Sequence, residues 1–358
     1  MERDFLVIGG GIAGISAAAR LSDLGSVTLI EAEAGLGFHA SGRSAAMFEP
    51  YYGKPPVVAL SLAGDEHLRR GGFLTERGLM IISDGSDDAL FDAQVAAFHL
   101  DEITVGEARG IVPILDPAKV RRAAMAMNAW DVDTDRLIQD YLRAAKANHA
   151  EVVTGAPATA IRRGGAGWVA ATPKGEFGGR VLVNAAGPWA DRVAAMAGVA
   201  TLGFTPLRRS MARIPAPGGH DVSRWPMVFG AGETWYCKPD AGALIVSPAE
   251  EDPMEPHDAW ADDMVLAEGL ARYEAMVTEP VTRLLSSWAG LRTFSPDRVL
   301  VIGRDPVVPS FFWLAGQGGY GFQTAPGASR LAADLLAGRV PEFGAEVVAA
   351  LSPARFAD

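Results

Sequence analysis

The sequence predicts an α/β protein in which a doubly wound parallel-sheet domain is interleaved with an α+β domain built on a mixed or antiparallel sheet. Three observations predict this architecture. The chain opens with a strand, a glycine turn, a helix and a second strand; its middle holds short β-prone segments; and its C-terminal part returns to strand, glycine turn and helix. Alternating strands and helices favour a parallel sheet, whereas consecutive short strands favour antiparallel pairing.

The first unit is a β-α-β pattern. "DFLVIGG" is an apolar run that stops at glycines, "IAGISAAARLSDLG" has small and apolar residues at helical spacing, and "SVTLIEAE" is a second buried strand. Gly9, Gly11 and Gly14 form a GxGxxG motif, which allows a tight turn, close approach to a pyrophosphate and close helix packing. Glu31 stands 20 residues after Gly11, where a carboxylate accepts hydrogen bonds from ribose. The unit predicts a Rossmann-like dinucleotide site, for NAD or FAD.

The rest of the chain divides into similar predicted elements. We expect helices within residues 55–70, 88–100, 104–112, 134–150, 261–279 and 321–338, and strands within 78–83, 179–184, 205–217, 225–230, 234–248, 299–303 and 311–316. The "PDAG" turn predicts a hairpin within 234–248. The predicted dinucleotide-binding domain comprises residues 1–75, 141–205 and 288–358, and the second domain comprises 76–140 and 206–287.

Composition narrows the class of partner. The chain has 358 residues, of which 49% are hydrophobic. Its net charge is −11 and it has no basic run, so the electrostatic field of the protein would repel nucleic acid and anionic membranes. We therefore expect a small-molecule substrate. No apolar run approaches the ~20 residues that span a bilayer, and the chain starts directly in a strand, so we expect no transmembrane segment and a cytoplasmic location. A single cysteine excludes an internal disulfide, and the six histidines lack metal-type spacing, so no metal is expected.

A second glycine turn lies far along the chain at "GQGGYGFQTAPG" and is followed by a helix. FAD is long, and its flavin ring would lie well away from the first glycine loop. A helix N-terminus at that distance would place backbone N–H groups and a positive dipole beside the negative charge that a reduced flavin accumulates. The second turn therefore favours FAD over NAD.

Over most of its length the chain resembles the FAD-dependent D-amino acid oxidase superfamily, and within it bacterial D-amino acid dehydrogenases related to D-arginine dehydrogenase. The resemblance rests on "VIGGGIAGISAAARL", "HASGRSAAM", "YYG", "DVDTDRL", "VLVNAAGPWAD", "LRRSM", "YCKPDAG", "WAGLRTF" and "GQGGYGFQT". It implies bound FAD and an active site where the flavin domain meets a substrate domain. Cys237 lies in the predicted substrate-domain hairpin, so we expect the FAD to be noncovalent.

The motifs and the resemblance together define the predicted FAD contacts. These are Gly9, Gly11, Ile12, Ala13, Gly14, Glu31, Ala32, Ser41, Gly42, Arg43, Ser44, Ala45, Ala46, Ala186, Gly187, Trp189, Gly318, Gly319, Tyr320, Gly321 and Gln323.

The resemblance also implies a set of catalytic residues. A planar guanidinium binds both oxygens of a carboxylate, and Arg292 matches the family's carboxylate clamp. In "LRRS" we predict Arg209 as the second cation, with Arg208 as the alternative. Tyr52 and Tyr236 match family positions where phenols hydrogen-bond the substrate.

Two departures from the family bear on the substrate. Met47 stands where the family has a histidine, so any role of that imidazole is absent or reassigned. Leu79 stands where relatives that prefer D-arginine carry a glutamate, and an apolar residue cannot offset the desolvation of a guanidinium. Glu49 and Glu233 are the two acidic residues that could restore an acidic pocket. The sequence therefore predicts a preference for apolar or aromatic D-amino acids over D-arginine.

The predicted reaction is oxidative deamination: hydride passes from Cα to flavin N5, and the imine is hydrolysed to a 2-oxo acid and ammonia. Three alternatives remain open at this point: oxidation of a secondary amine such as sarcosine or of glycine, oxidation of a 2-hydroxy acid, and a noncatalytic flavin-based sensor. The electron acceptor, whether quinone, carrier or oxygen, is also open.

Overall fold

The computed structural model describes residues 3–165 and 167–357. The helices in these ranges are α1 (Ile12–Leu21), α2 (Pro55–Arg70), α3 (Asp88–Ala97), α4 (Val105–Ile111), α5 (Thr134–Ala147), α6 (Ala190–Met196), α7 (Asp263–Glu274), α8 (Gly321–Ala337) and α9 (Ala345–Leu351). The strands are β1 (Arg3–Ile8), β2 (Val27–Ile30), β3 (Met47–Phe48), β4 (Leu74–Glu76), β5 (Leu79–Ser83), β6 (Asp101–Ile103), β7 (Arg122–Ala126), β8 (Trp130–Val132), β9 (Glu151–Val153), β10 (Ala160–Gly164), β11 (Gly167–Thr172), β12 (Gly175–Asn184), β13 (Thr205–Pro215), β14 (Met227–Gly230), β15 (Tyr236–Asp240), β16 (Ala243–Ser247), β17 (Asp252–Pro253), β18 (Ser286–Phe294), β19 (Val301–Arg304) and β20 (Phe311–Ala315).

The first sheet is built around β1. Its order is β10-β11-β12-β1-β2-β9, and β20 continues it by pairing with β12 and β19. Strands β9, β2, β1, β12 and β20 run parallel to their neighbours in that series. Along β1, Val7 packs into one apolar core while Leu6 and Ile8 pack into another, so both faces of the sheet are covered. This is the pattern of a doubly wound sheet.

The second sheet has nine strands in the order β17-β13-β16-β15-β14-β5-β7-β6, with β18 paired to β13. Its pairs are antiparallel except for β14 with β5, so the sheet is mixed. A third, small sheet joins β3, β8 and β4. The predicted fold class, a doubly wound domain interleaved with an α+β domain on a mixed sheet, is confirmed.

The structure contains elements that the sequence analysis did not predict: α9 and the strands β3, β4, β6, β7, β8, β9, β10, β11, β17 and β18. Two of these differences bear on the domain architecture. The hairpin of β10 and β11 was not predicted; it extends the first sheet by antiparallel pairing to β12. The predicted domain boundary at residue 288 falls inside β18, which pairs with β13 along residues 286–294 and so belongs to the second sheet. The physical reason is that β18 lies far from β13 in sequence, and local patterns do not report a long-range partner.

Two features of the described residues bear on function classes. None of the helices in residues 3–165 and 167–357 is long and apolar enough to cross a membrane. Across those same ranges, no group of three or more His, Cys, Asp or Glu side chains is placed to hold a metal ion.

Candidate active site

A cavity of about 680 Å³ is lined by residues from the first sheet, from the second sheet and from the loops between them. This volume lies within the range of small-molecule sites. Eighteen of the predicted FAD contacts line it: Gly9, Gly11, Ile12, Ala13, Glu31, Ala32, Ser41, Arg43, Ser44, Ala45, Ala46, Ala186, Gly187, Trp189, Gly318, Gly319, Gly321 and Gln323.

The first glycine motif has the tight geometry that its sequence predicts. Gly9 has φ of 107°, and a Cβ atom there would lie 2.4 Å from the carbonyl oxygen of Ala185. A Cβ atom on Gly14 would lie 1.8 Å from the carbonyl oxygen of Gly9. Only glycine fits either position, because the backbone turn and the helix touch directly. Gly14 therefore lies behind the cavity wall and supports the turn rather than lining the cavity.

The N-terminus of α1 faces the cavity with backbone groups. Gly11 caps the helix without a side-chain hydrogen bond, and the first turn carries no acidic residue. The hydroxyl of Ser41 accepts a hydrogen bond from the Ile12 N–H at 3.0 Å. Glu31 accepts hydrogen bonds from the backbone N–H groups of Gly10 and Glu33, which fix its carboxylate at the end of β2. A helix N-terminus beside a fixed carboxylate suits a pyrophosphate and a ribose.

The "ASGRSAAM" segment links this end of the cavity to the second sheet. Arg43 donates hydrogen bonds to the carbonyl oxygens of Ala259 at 2.8 Å and Ala289 at 2.9 Å, and it forms an ion pair with Asp258. Gly42 lies behind the cavity wall, where a Cβ atom would lie 2.5 Å from the Gly37 carbonyl oxygen. The arginine thus anchors the loop against β18.

The second glycine turn lies at the other end of the cavity. Gly318 has φ of 50°, and a Cβ atom there would lie 2.3 Å from the Phe294 ring. Next to it, Gly319 packs against the guanidinium of Arg292. Tyr320 does not line the cavity, because its ring packs between Tyr52 and Phe294, at centroid distances of 5.2 and 6.1 Å. The turn therefore presents backbone to the cavity and holds an aromatic support behind it.

Two arginines face the cavity from neighbouring strands. Arg209 lies on β13 and Arg292 on β18, and the register pairs Arg209 with Gly290 and Leu207 with Arg292. Cross-strand partners share a face, so the two arginines are diagonal neighbours on one side of the sheet. Arg208 points away, because side chains alternate along a strand, and it forms an ion pair with Asp252 at 2.7 Å. Of the two arginines in "LRRS", the structure brings Arg209 to the cavity.

The two guanidinium groups differ in their partners. Arg209 donates to the Glu250 carbonyl oxygen at 2.9 Å and to Glu251 Oε1 at 3.2 Å. Burial and the neighbouring charge of Arg292 lower the pKa of Arg209. Within residues 3–165 and 167–357, no hydrogen bond or ion pair is recorded for the side chain of Arg292. Burial acts to lower the pKa of Arg292. The nearby phenols of Tyr236 and Tyr52 and the carboxylates of Glu233 and Glu251 act in the opposite direction, and the pKa is raised overall. Arg292 is thus a cation that faces the cavity with its hydrogen-bond donors available.

Both predicted phenols lie beside these arginines. The Tyr52 hydroxyl donates to Glu233 Oε2 at 3.3 Å, and burial raises the pKa of Tyr52 above its usual range. The Tyr236 hydroxyl, on β15, has Met211 Sδ as its hydrogen-bond acceptor at 3.4 Å, a weak partner. Its oxygen can therefore accept a hydrogen bond from a ligand, and its O–H can donate to a ligand oxygen in place of the sulfur.

The remaining wall of this end is apolar. Leu79 is 2% exposed at the start of β5 and lines the cavity. Phe98, Met211, Met227 and Phe229 also line it and were not singled out from the sequence. Because side chains alternate along a strand, the sequence could have shown that Met211 shares a face of β13 with Arg209. It could also have shown that Met227 and Phe229 share a face of β14. It could not have told which face of each strand meets the cavity.

The single cysteine is removed from the site. Cys237 is 5% exposed and packs in the core of the second sheet, next to Tyr236 but on the opposite face of β15. Burial raises the pKa of its thiol to about 12. A buried, protonated thiol on the far face is a packing residue.

Comparison with known proteins agrees with this geometry. A sequence model of the family described as "FAD dependent oxidoreductase", the DAO family, matches residues 4–335. The glycine oxidase of Pseudomonas aeruginosa is 27% identical over 373 residues, which covers 95% of this chain and 96% of that protein. FAD-dependent oxidoreductase domain-containing protein 1 of Xenopus laevis is 26% identical over 180 residues, or 44% of this chain, and that match spans 34% of the relative's length.

Solved structures share the fold over the whole chain. A glycine oxidase from Geobacillus kaustophilus has a TM-score of 0.82 at 23% identity and covers 98% of both chains. An L-proline dehydrogenase from P. horikoshii has a TM-score of 0.83 at 22% identity and covers 99% of this chain and 98% of that one. The chain belongs to the DAO family of FAD-dependent oxidoreductases, as the resemblance in its motifs predicts.

The residues present fit FAD. Backbone N–H groups at the start of α1 and the Glu31 carboxylate suit the adenosine diphosphate half, and the turn at Gly318 and Gly319, before α8, gives the flavin half a second helix N-terminus. Gln323, in the first turn of α8, donates to the Tyr52 carbonyl oxygen at 3.2 Å and to Ser61 Oγ at 3.0 Å, so it fixes the start of α8 to α2 and to the loop that carries Tyr52.

Proposed function

We propose that this protein oxidises D-amino acids that have apolar or aromatic side chains, with FAD bound noncovalently. The observation that carries the proposal is Arg292, a cation that has no hydrogen-bond or ion-pair partner among the described residues and faces the cavity between two phenols and an apolar wall. A substrate carboxylate would supply the missing anion, and a guanidinium would hold both its oxygens. Bound FAD supplies the hydride acceptor for oxidation of the Cα–N bond.

The roles of the other residues follow from their places. Arg209 adds a second positive charge to the carboxylate end. Tyr236 offers its hydroxyl to a carboxylate oxygen, and Tyr52 closes the same end beside Glu233. Leu79, Phe98, Met227 and Phe229 provide an apolar wall for the side chain and exclude water from it. Because burying an apolar side chain there is favourable and burying an unpaired guanidinium is not, the wall supports D-leucine over D-arginine as substrate.

A second candidate is oxidation of glycine or a secondary amine. It is favoured by the similarity to a glycine oxidase over nearly the full length of both chains and by the shared fold with an L-proline dehydrogenase. Those names describe substrates that also combine an amine with a carboxylate. The arginine pair serves either substrate class, so the two candidates differ at the apolar wall rather than at the clamp.

Anaerobic mixing tests the proposal directly. The purified holoprotein would be mixed with D-leucine, D-phenylalanine and D-arginine, their L-enantiomers, glycine, sarcosine, L-proline and 2-hydroxy acids while the yellow absorbance of the flavin is followed. We expect bleaching by D-leucine and D-phenylalanine, and slower bleaching by D-arginine. Bleaching only by glycine or the secondary amines would move the assignment to the second candidate. Bleaching by none of them would contradict an enzymatic role and favour a flavin-based sensor.

Two further measurements complete the assignment. Acid precipitation should release yellow flavin into the supernatant, as expected for noncovalent FAD, whereas a yellow pellet would contradict it. Reoxidation of the bleached protein by oxygen, by a quinone analogue or by an artificial electron carrier would identify the class of electron acceptor.

A further inference from the structure

One of the two cavity arginines is held from behind by a loop that lies outside the cavity wall. Arg209 Nε donates to the Glu250 carbonyl oxygen at 2.9 Å, and Arg209 Nη2 donates to Glu251 Oε1 at 3.2 Å. These two nitrogens form one edge of the planar guanidinium, so the protein occupies that edge. Nη1 has no hydrogen bond recorded within residues 3–165 and 167–357. It is therefore the nitrogen that Arg209 can offer to a ligand.

The loop after β16 is shaped to make both contacts. Ala249 takes a φ of 55°, which is unusual for a residue other than glycine, and its N–H donates to the Ser247 hydroxyl at 3.2 Å. The Glu250 carboxylate accepts a hydrogen bond from the Ser210 N–H at 2.6 Å. The loop is thus tied to β13 next to Arg209. Residues in this strained backbone conformation are concentrated at functional sites, where the surrounding structure holds them.

The carboxylate of Glu251 is shared with a second cation. Its Oε1 also accepts from Arg298 Nη2 at 2.9 Å. Arg298 has a φ of 63°, donates its N–H to the Ser295 carbonyl oxygen at 2.9 Å, and lies over the Phe294 ring, 3.9 Å from the centroid. The side chain of Arg298 is 41% exposed, whereas that of Arg209 is 6% exposed. One carboxylate oxygen therefore joins a buried cavity arginine to an arginine at the protein surface.

The acidic residues that line the substrate end have other contacts. Glu49 is 5% exposed in the cavity wall, and Glu233 accepts from the Tyr52 hydroxyl at 3.3 Å. Neither has a hydrogen bond or ion pair with Arg209 in the part of the chain that the structure describes. The carboxylate recorded in contact with Arg209 there is that of Glu251.

This contact has two consequences for a carboxylate ligand. Two hydrogen bonds on one edge fix the plane of the Arg209 guanidinium and so fix the direction of Nη1. The negative charge of Glu251 also competes with the ligand for the charge of Arg209, whereas Arg292 has no recorded anionic partner to compete for its charge. Arg298 moderates the competition, because it binds the same oxygen of Glu251.

We propose that Glu251, shared with Arg298, is a positioning residue for the carboxylate clamp. It fixes Arg209 and limits the charge that Arg209 offers, so that Arg292 remains the main partner of the substrate carboxylate and Cα stays in the place where it reacts. The inference rests on the proposed function, in that it requires a substrate with a carboxylate.

Glu251→Gln tests the proposal, because glutamine keeps the length of the side chain but removes its charge. The ligand is 4-methylpentanoate, which is D-leucine without its amino group, and calorimetry on the holoprotein gives its dissociation constant. We expect this constant to fall about threefold, the scale of a partly exposed ion pair, since a competing anion is lost. The limiting rate of flavin reduction by D-leucine should fall about tenfold, because the carboxylate is drawn toward Arg209 and the reacting geometry is lost.

Tighter binding together with slower reduction is a result that a damaged cavity does not give. Weaker binding of 4-methylpentanoate by Glu251→Gln, or no change in binding, would overturn the proposal. Tighter binding with an unchanged rate of reduction would show that Glu251 alters only the charge of the site, and would overturn its positioning role.

Arg298→Gln should have the opposite effect on binding. Without Arg298, the Glu251 carboxylate pairs with Arg209 alone and competes more strongly, so the dissociation constant of 4-methylpentanoate should rise about threefold. The matched controls are Arg162→Gln and Glu176→Gln, which remove the charges of an exposed ion pair on the hairpin of β10 and β11 and should leave binding unchanged. Changes in the same direction in Glu251→Gln and Arg298→Gln would contradict the proposal.

A double-mutant cycle shows whether both residues act through Arg209. In an Arg209→Gln background, Glu251→Gln and Arg298→Gln should each change the dissociation constant of 4-methylpentanoate by less than about 1.5-fold, because the group that they hold is absent. If the threefold effects persist in that background, the two charges act on the ligand directly, and the positioning role is overturned.

The ligand keeps this inference separate from the proposed function, because 4-methylpentanoate has a carboxylate and no amine. If only glycine, a secondary amine or a 2-hydroxy acid bleaches the flavin, the proposed function fails, and the same variants decide the role of Glu251 with that substrate. If D-leucine bleaches the flavin and the binding changes have the wrong sign, the inference fails alone. If nothing bleaches the flavin, there is no reaction to position, and both are overturned.

Discussion

The two ends of the cavity are built by different means. The dinucleotide end is built mainly on one contiguous stretch, from β1 through α1 to Glu31, with Ser41 added from a later loop. It presents mainly backbone: glycines, helix N–H groups and one fixed carboxylate. The substrate end is assembled from β3, β5, β13, β15, β18 and the turn before α8, and it presents side chains. Backbone geometry serves a cofactor part common to many enzymes, whereas side chains gathered from distant strands can be changed one at a time. We therefore expect specificity to lie at the second end.

The largest effect should come from the substrate end. We predict that Arg292→Ala weakens substrate binding by about 2–5 kcal/mol, roughly 30-fold to several thousand-fold, because it removes one partner of a buried charge pair. The measurement is kcat/KM and the dissociation constant for D-leucine. D-leucinamide, which has no carboxylate, is the matched control and should lose far less. An equal loss for both ligands would show that Arg292 supports the fold rather than the carboxylate.

At the dinucleotide end, Gly14→Ala should disrupt the backbone itself. Its new methyl group would lie 1.8 Å from the Gly9 carbonyl oxygen, so the helix or the turn must shift. We expect a cost of about 1–3 kcal/mol and a loss of bound flavin. Flavin content per chain and Tm measure this. The control is Gly35→Ala, where a Cβ atom meets nothing within 4 Å and flavin content should be unchanged. Full flavin retention in Gly14→Ala would contradict the tight-turn argument.

A smaller effect distinguishes the two arginines of "LRRS". Arg209→Lys keeps the charge but loses the planar fork, and we predict a decrease of about tenfold in kcat/KM, or roughly 1.4 kcal/mol. Arg208→Lys is the matched control, since Arg208 lies on the opposite face and pairs with Asp252. We expect its kinetics to stay at the wild-type level. Equal losses in the two variants would count against the assignment of Arg209 to the substrate end.

The same contrast explains what the sequence could predict. The GxGxxG unit, most of the helices and about half of the strands have local periodicity, so their type and approximate position follow from the sequence. The sequence does not show which face of β13 lines the cavity. Arg208 and Arg209 are adjacent, and the alternation of side chains permits either of them to point toward the cavity. The strand that carries Arg292 was not predicted, because its partner β13 lies about 80 residues away in sequence and "SSWAGLRTF" has no strict alternation. Glu49 had no local signal of burial, since an acidic residue is ordinarily exposed.

The smallest predicted effect concerns Leu79, where a single side chain should change selectivity without changing the clamp. Leu79→Glu places a carboxylate in the apolar wall, and we expect the ratio of kcat/KM for D-arginine to that for D-leucine to rise by about three- to tenfold, or roughly 1 kcal/mol, because the gain from pairing is offset by desolvation of both charges. Leu79→Gln is the matched control: it has the same shape without the charge and should lower D-leucine activity without favouring D-arginine. If both variants change the ratio equally, the polarity of residue 79 rather than its charge determines the preference between the two substrates. If neither changes it, the substrate side chain lies elsewhere in the cavity and the apolar wall at Leu79 does not set specificity.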